Sequence, residues 1–280
     1  MRRGAASYHA ALRAASAAAA LAPELLLRRS AVARENLRLA FGRVVPGLLE
    51  ASCRHFAAAA VDLFYFDRLF DPARFDQHFR MEGDGLAHYR ETGPLGAVFV
   101  TGHFGNWELF GAAFRHMGIP IAPVARPLPW LGAALDRFRR AHGQETIPKR
   151  DALPLAMRAI RRGLCVAFLA DQSAGREGIP LPFFGRDAFT IVAPAALALK
   201  LKVPLYAGYS TRLGDGISYR CYAEHVPLVG DAESLTRRLN GILEGYVRAR
   251  PEQWWWFHRR FKPPKAQRRG RRLSPAGVPL

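Results

Sequence analysis

His103 and Glu108 stand five residues apart in the stretch Ala97-Val98-Phe99-Val100-Thr101-Gly102-His103-Phe104-Gly105-Asn106-Trp107-Glu108. A histidine backed by a carboxylate makes an oriented general base. The acid fixes the tautomer through one ring nitrogen and leaves the other to take a proton. On a continuous helix, positions five apart are about 140° out of phase and share no face. The spacing therefore works only if His103 precedes the helix, on a turn made by Gly102 and Gly105. Asn106 then serves as N-cap, and Glu108 lies in the first turn at the positive end of the helix dipole. Glu108 is expected to reach back to one imidazole nitrogen. On spacing alone the other reading, a histidine that merely closes a turn, stays open.

Such a turn needs a strand before it and a helix after it. The apolar run 97–101 supplies the strand, and further strands are predicted at 119–125, 164–170, 203–210 and 218–226. Helices are predicted at 84–91, 106–117, 130–142, 151–162, 190–201 and 232–250. Strands alternating with helices imply an α/β fold: a mainly parallel twisted sheet flanked by helices on both faces. Residues 7–42 read as amphipathic helices broken near Pro23. Residues 47–66 read as a helix with Leu49, Cys53, Phe56, Ala60 and Phe64 near one face. The chain is expected to form a single domain over 1–262, with N-terminal helices 7–66 packed on an α/β core at 80–262. The segment 263–280 is expected to be a basic, mobile tail. In an open sheet of this kind ligands bind at the carboxyl ends of the strands. Arg126, Asp171 and Gln172 each follow a predicted strand and are expected to share a cleft with His103.

The chain has 280 residues, half of them hydrophobic, and a formal net charge of +18. Such a field favours an anionic partner: an anionic membrane surface, a phosphorylated substrate or nucleic acid. No RRM, KH or zinc-finger pattern accompanies the basic residues, so a nucleic-acid-binding protein is the weaker class and no nucleic-acid partner is expected. Cys53, Cys165 and Cys221 are widely spaced, which argues against a disulfide framework or a zinc site and for a reducing compartment. Neither a metal nor a nucleotide or flavin signature is present, and no cofactor is expected. The apolar run 14–22 is short, alanine-rich and bounded by Arg13 and Pro23, so no segment is expected to span a bilayer.

Several stretches in the same order resemble one family. Thr101-Gly102-His103-Phe104-Gly105-Asn106-Trp107-Glu108 is similar to the H-x4-D/E motif of the glycerolipid acyltransferases, and closest to the lauroyl/myristoyl acyltransferases of lipid A synthesis. Residues 34–42, 170–175 ("ADQSAG"), 179–190 ("IPLPFFGRDAFT") and 251–262 ("PEQWWWFHRRFK") resemble further blocks of that family. The resemblance implies direct O-acyl transfer without an acyl-enzyme, His103 acting as base and Glu108 orienting it. The backbone amides of Gly105 and Asn106 are candidate donors to the oxyanion. The resemblance also implies phosphate binding by Arg126 and by Arg139 or its neighbour Arg140. Asp171 and Gln172 would order arginines or hold sugar hydroxyls, although Ser173 stands where other members carry a second acid. Phe183 and Phe184 would line an acyl channel or pack the core, in a loop that re-enters the core and caps a helix. Trp254–Trp256 would sit at a membrane interface or in the core. The implied donor is acyl-carrier protein or acyl-CoA as co-substrate. The implied acceptor is a phosphorylated glycolipid, with phosphatidylinositol mannoside or another lysolipid as alternative. The implied location is the cytoplasmic face of the bacterial inner membrane; with no spanning segment expected, attachment is expected to be peripheral or weak, a departure from members with a clear N-terminal membrane helix.

Overall fold

The computed structural model describes residues 2–22, 27–93, 95–126, 132–214 and 217–263. Three helices come first: α1 (Arg2–Ala20), α2 (Leu27–Phe41) and α3 (Leu48–Leu69). A short helix α4 (Phe75–His78) then leads through β1 (Phe79–Glu82) and α5 (Gly85–Thr92) to β2 (Ala97–Thr101). There follow α6 (Trp107–His116), β3 (Ile121–Ala125), α7 (Gly132–Ala141), β4 (Ile147–Pro148), α8 (Ala152–Arg161) and β5 (Cys165–Leu169). The chain continues through β6 (Ile179–Phe183), β7 (Arg186–Thr190), α9 (Ala193–Leu201), β8 (Leu205–Arg212), β9 (Tyr219–His225) and α10 (Ala232–Ala249).

Seven strands form one sheet in the order β1-β9-β8-β2-β5-β3-β4. Strands β8, β2, β5, β3 and β4 run parallel, and β9 lies antiparallel to β8 with β1 alongside it. The mainly parallel α/β architecture expected from the alternation of elements is present. All five residues of β2 are buried, as a central strand covered on both faces requires. Its side chains alternate. Ala97 and Phe99 pack with Leu109, Phe110 and Phe114 of α6. Val98 and Val100 pack on the other face with Ile160 of α8, Leu197 of α9 and Leu239 of α10. A third cluster joins Leu37, Leu49, Phe104, Phe183, Trp254 and Trp256.

Three features depart from expectation. The Phe183-Phe184-Gly185 segment is the end of a β6–β7 hairpin rather than a loop capping a helix. Its two turn residues, Phe184 and Gly185, both have positive φ, the signature of a tight hairpin turn. The two-residue edge strand β4 and the strand β1 were too short to show a period. The buried face of α3 is also rotated: Ala60 and Phe64 face outward, Phe64 with 69% of its surface exposed, while His55 and Asp62 are buried. The polar face wins because its partners lie inside. Asp62 accepts from Arg212 Nε at 2.7 Å, Arg212 Nη2 at 3.1 Å, Tyr8 Oη at 2.7 Å and Tyr219 Oη. This network ties α1 and α3 to β8 and β9. Removing one member of a buried ion pair strands the other charge, at a cost of about 3–5 kcal/mol. Asp62→Ala is expected to lower the unfolding free energy by about that amount, read from urea unfolding curves. A loss under about 1 kcal/mol would show that Arg212 finds solvent instead. The basic tail beyond residue 263 and the break near Pro23 lie outside the described residues.

Candidate active site

β2 and β5 are parallel neighbours with Thr101 opposite Leu169. Two residues past each strand end, this register sets His103 opposite Asp171. The turn between them is tight. A Cβ on Gly102 would lie 3.1 Å from both Cβ and Cγ of Asp171, so a larger residue there would have to push the Asp171 side chain back by a few tenths of an ångström. Gly105 has φ +62°, and a Cβ there would lie 1.6 Å from the Ser210 carbonyl oxygen.

The His103 ring donates from Nδ1 to Asp171 Oδ1 at 2.8 Å, and its main-chain N–H donates to Asp171 Oδ2 at 2.8 Å. The Trp254 indole N–H donates to the same Oδ2 at 2.9 Å. Burial by itself would raise the Asp171 carboxyl. The charge of His103, with the hydrogen bonds from His103 and Trp254, outweighs it and holds the group at about 2. An ionised Asp171 keeps the proton of a neutral ring on Nδ1 and leaves the Nε2 lone pair free to accept another. The His103 side chain keeps 22% of its surface exposed, against 2% for Asp171, so the ring is reachable and its partner is not.

The carboxylate on His103 is therefore that of Asp171 and not of Glu108. Glu108 does lie in the first turn of α6, behind the Asn106 cap, whose side chain accepts from Leu109 N at 3.2 Å. Its oxygens, however, accept from Arg139 Nε at 2.9 Å and Nη2 at 2.5 Å, and from Trp107 Nε1 at 3.2 Å. The fork-shaped guanidinium matches both carboxylate oxygens and holds them turned to Arg139, and no hydrogen bond runs from the imidazole to Glu108 among the described residues. Among the described residues Glu108 is linked to His103 through Trp107, whose indole donates to it and whose ring centroid lies 4.9 Å from that of His103.

The other expected site residues separate in the same way. Arg139 is buried, and its Nη1 also reaches Asp136 at 3.4 Å, so acids rather than solvent occupy it. Arg140 is exposed. Arg126 is exposed at the carboxyl end of β3, with no hydrogen bond or ion pair among the described residues. Gln172 lies against His103, its side-chain nitrogen 3.4 Å from Nε2 and 3.5 Å from Nδ1. The backbone amides of Gly105 and Asn106 are not free for an oxyanion. Gly105 N–H donates to the Gln253 carbonyl at 2.8 Å, and Asn106 N–H to Ser210 Oγ at 3.2 Å. The segment 251–257 closes on the turn and takes the first of these donors.

That segment is more than an aromatic patch. Trp254 and Trp256 are buried, Phe104 bridges to Trp254, and Trp255 N–H donates to the His103 carbonyl at 2.9 Å. Asn36 of α2 clamps it from outside through the carbonyls of Trp256 at 2.6 Å and His258 at 2.5 Å. Phe183 and Phe184 are core residues, 0% and 6% exposed. The apolar surface beside the ring is made instead by the half-buried Trp107, Phe56 and Trp255, with ring centroids 6.1 Å and 4.8 Å apart. Sequence reasoning also missed His55, whose Nε2–H donates to the Gly105 carbonyl at 3.1 Å. Burial holds its imidazole down at about 4, so it supports the turn as a neutral donor. Among the described residues no group of three or more His, Cys, Asp or Glu is placed to hold a metal ion.

The family model described as bacterial lipid A biosynthesis acyltransferase matches residues 4–263. A phosphatidylinositol mannoside acyltransferase of Mycolicibacterium smegmatis is 25% identical over 165 residues, covering 57% of this chain and 54% of the relative. This chain thus spans about half the length of that curated relative. A lipid A biosynthesis palmitoleoyltransferase of Escherichia coli is 26% identical over 260 residues, covering 87% of this chain and 82% of the relative. A lipid A biosynthesis lauroyltransferase of the same organism is 28% identical over 207 residues, covering 70% and 63%.

Proposed function

Because this chain belongs to the bacterial lipid A biosynthesis acyltransferase family, we propose that it moves a fatty acyl chain from a thioester to a hydroxyl of a lipid, most specifically a lipid A precursor. The observation that carries this reading is the His103–Asp171 pair at the carboxyl end of the sheet, half-open and beside an apolar wall. The acceptor hydroxyl gives its proton to His103 Nε2 as its oxygen bonds to the thioester carbonyl carbon. The tetrahedral intermediate then collapses, the C–S bond breaks, and the thiol leaves with the proton returned by the imidazolium. All three cysteines are buried, and among the described residues no serine hydrogen-bonds to the imidazole, so direct transfer fits better than an acyl-enzyme. With the turn amides occupied, the side-chain amide of Gln172 is the donor nearest the oxyanion. The alkyl chain of the donor would rest on Phe56, Trp107 and Trp255. Arg126, exposed at the same end of the sheet, would hold a phosphate of the acceptor.

A peripheral position on the cytoplasmic face of the inner membrane suits the molecule. No helix among the described residues is long and apolar enough to cross a membrane. The N-terminal helices and the turn after α1 present exposed Leu21 and Phe64, with Arg68 stacked 5.3 Å over the Phe64 ring. An apolar side chain flanked by arginine on a strongly basic protein fits an anionic lipid surface. The phosphatidylinositol mannoside acyltransferase match favours a second acceptor class, the mannosylated phosphoinositides.

Mass spectrometry of lipids from cells with and without the gene tests the reading and chooses between acceptors. One acyl mass is expected to appear on a single lipid class when the gene is present, and to disappear with a His103→Ala copy. Identical lipid profiles, with the protein expressed and folded, would sink the proposal.

A further inference from the structure

Arg260 is completely buried. Among the described residues none of its hydrogen bonds goes to a carboxylate. Nη1 donates to the carbonyls of Gln172 and Phe189, each at 3.3 Å. Nη2 donates to Thr190 Oγ1 at 2.7 Å and Asn240 Oδ1 at 3.2 Å, and Nε has no partner. The Phe183 ring lies 5.1 Å from its guanidinium carbon. A buried cation held only by neutral groups is costly unless an anion nearby offsets it. Asp171 is that anion. It precedes Gln172 in the chain, and with Thr190 and Asn240 it lines one cavity of about 10 Å³. The guanidinium feels its attraction, and burial nonetheless lowers Arg260 to about 10.

Two titratable groups beside the pair, His258 and Tyr209, are neutral at pH 7. Burial holds His258 at about 4, between Asp171, His103 and Arg260. Burial keeps Tyr209 protonated, beside Asp171 and Tyr246. Glu108 and Arg139 satisfy each other one ring away, behind Trp107. Arg29 of α2 is exposed and donates to the Phe257 carbonyl. The charges buried behind the imidazole are therefore Asp171 and Arg260.

We propose that Arg260 is a positioning residue for the transfer reaction. It is the buried counter-charge that offsets Asp171 where that carboxylate orients His103, and through the Gln172 carbonyl it holds the Asp171–Gln172 strand end in place. The proposal rests on His103 acting as the base, but its test does not require turnover.

Removing the cation leaves Asp171 uncompensated, which favours a charged imidazole. In substrate-free Arg260→Met the pH at which the His103 ring resonances titrate, followed by NMR, is expected to rise by about one unit. The acidic limb of kcat/KM should move up with it. Arg260→Gln, which keeps hydrogen-bonding capacity but not charge, should behave the same way and serves if the methionine variant does not fold. Arg260→Lys, which keeps the charge, should leave the ring titration at its native position even if the rate falls. An unmoved titration in a folded charge-free variant overturns the proposal. So does an equal displacement in Arg260→Lys, because loosening of the strand end alone would then explain both. A displaced ring titration in a protein that transfers no acyl chain would sink the catalytic reading of His103 and leave the counter-charge standing.

Discussion

In His103→Ala, acyl transfer falls by about a thousandfold or more at every pH, with KM for both substrates nearly unchanged. The reason is geometric. Among the described residues the His103 imidazole combines a buried carboxylate on Nδ1 with 22% side-chain exposure. The other buried histidine at the turn, His55, points its Nε2–H at a carbonyl and has no access to substrate. Its replacement should instead loosen the turn. The His103 variant should stay folded. Asp171 retains two of its donors, the main-chain N–H of residue 103 and the Trp254 indole. Transfer rates measured beside an unfolding curve check both halves. Native turnover in a folded variant would remove the base from the mechanism.

Asp171→Asn is expected to have the second large effect, a fall in kcat of about a thousandfold to ten-thousandfold. An amide can turn its NH2 toward Nδ1, which makes Nδ1 the acceptor and moves the ring proton to Nε2, where the lone pair is needed. The control is Glu108→Gln. It leaves the Asp171 contact intact and weakens the fork around Arg139, so its cost should fall mainly on stability or on KM and be much smaller in kcat. The ordering of the two kcat values is what matters. Should Glu108→Gln lose more than Asp171→Asn, the acid that orients His103 during turnover would be Glu108, through a rearrangement that breaks its pair with Arg139.

These two predictions turn on where the chain's own pattern could be followed and where it could not. The apolar run at 97–101, the helix 232–250 and the strand–turn–helix around His103 were all readable. Each is a local consequence of periodicity, capping preference and the conformational freedom of glycine. So was the gathering of His103, Asp171 and Gln172 at one end of the sheet, because strand polarity in an α/β fold follows from alternation alone.

Which acid meets which base was a different kind of question. It depended on β2 lying beside β5 with Thr101 opposite Leu169, a neighbour relation between segments more than sixty residues apart. Five-residue spacing pointed to Glu108, but Arg139 arrives from α7 with a better-matched fork and takes it. The same holds for the amides of Gly105 and Asn106, which a local view leaves free and the segment 251–257 and Ser210 occupy. It holds again for Arg260, one basic residue in a basic run until packing removes it from water and sets it behind Asp171. Type and spacing along the chain thus settled the main strands and helices of the sheet layer, the location of the cleft and the histidine in it. Partner choice among the charged groups was decided only by tertiary structure. Several acids and arginines are chemically equivalent as letters, and they differ only in distance, burial and the donors already taken.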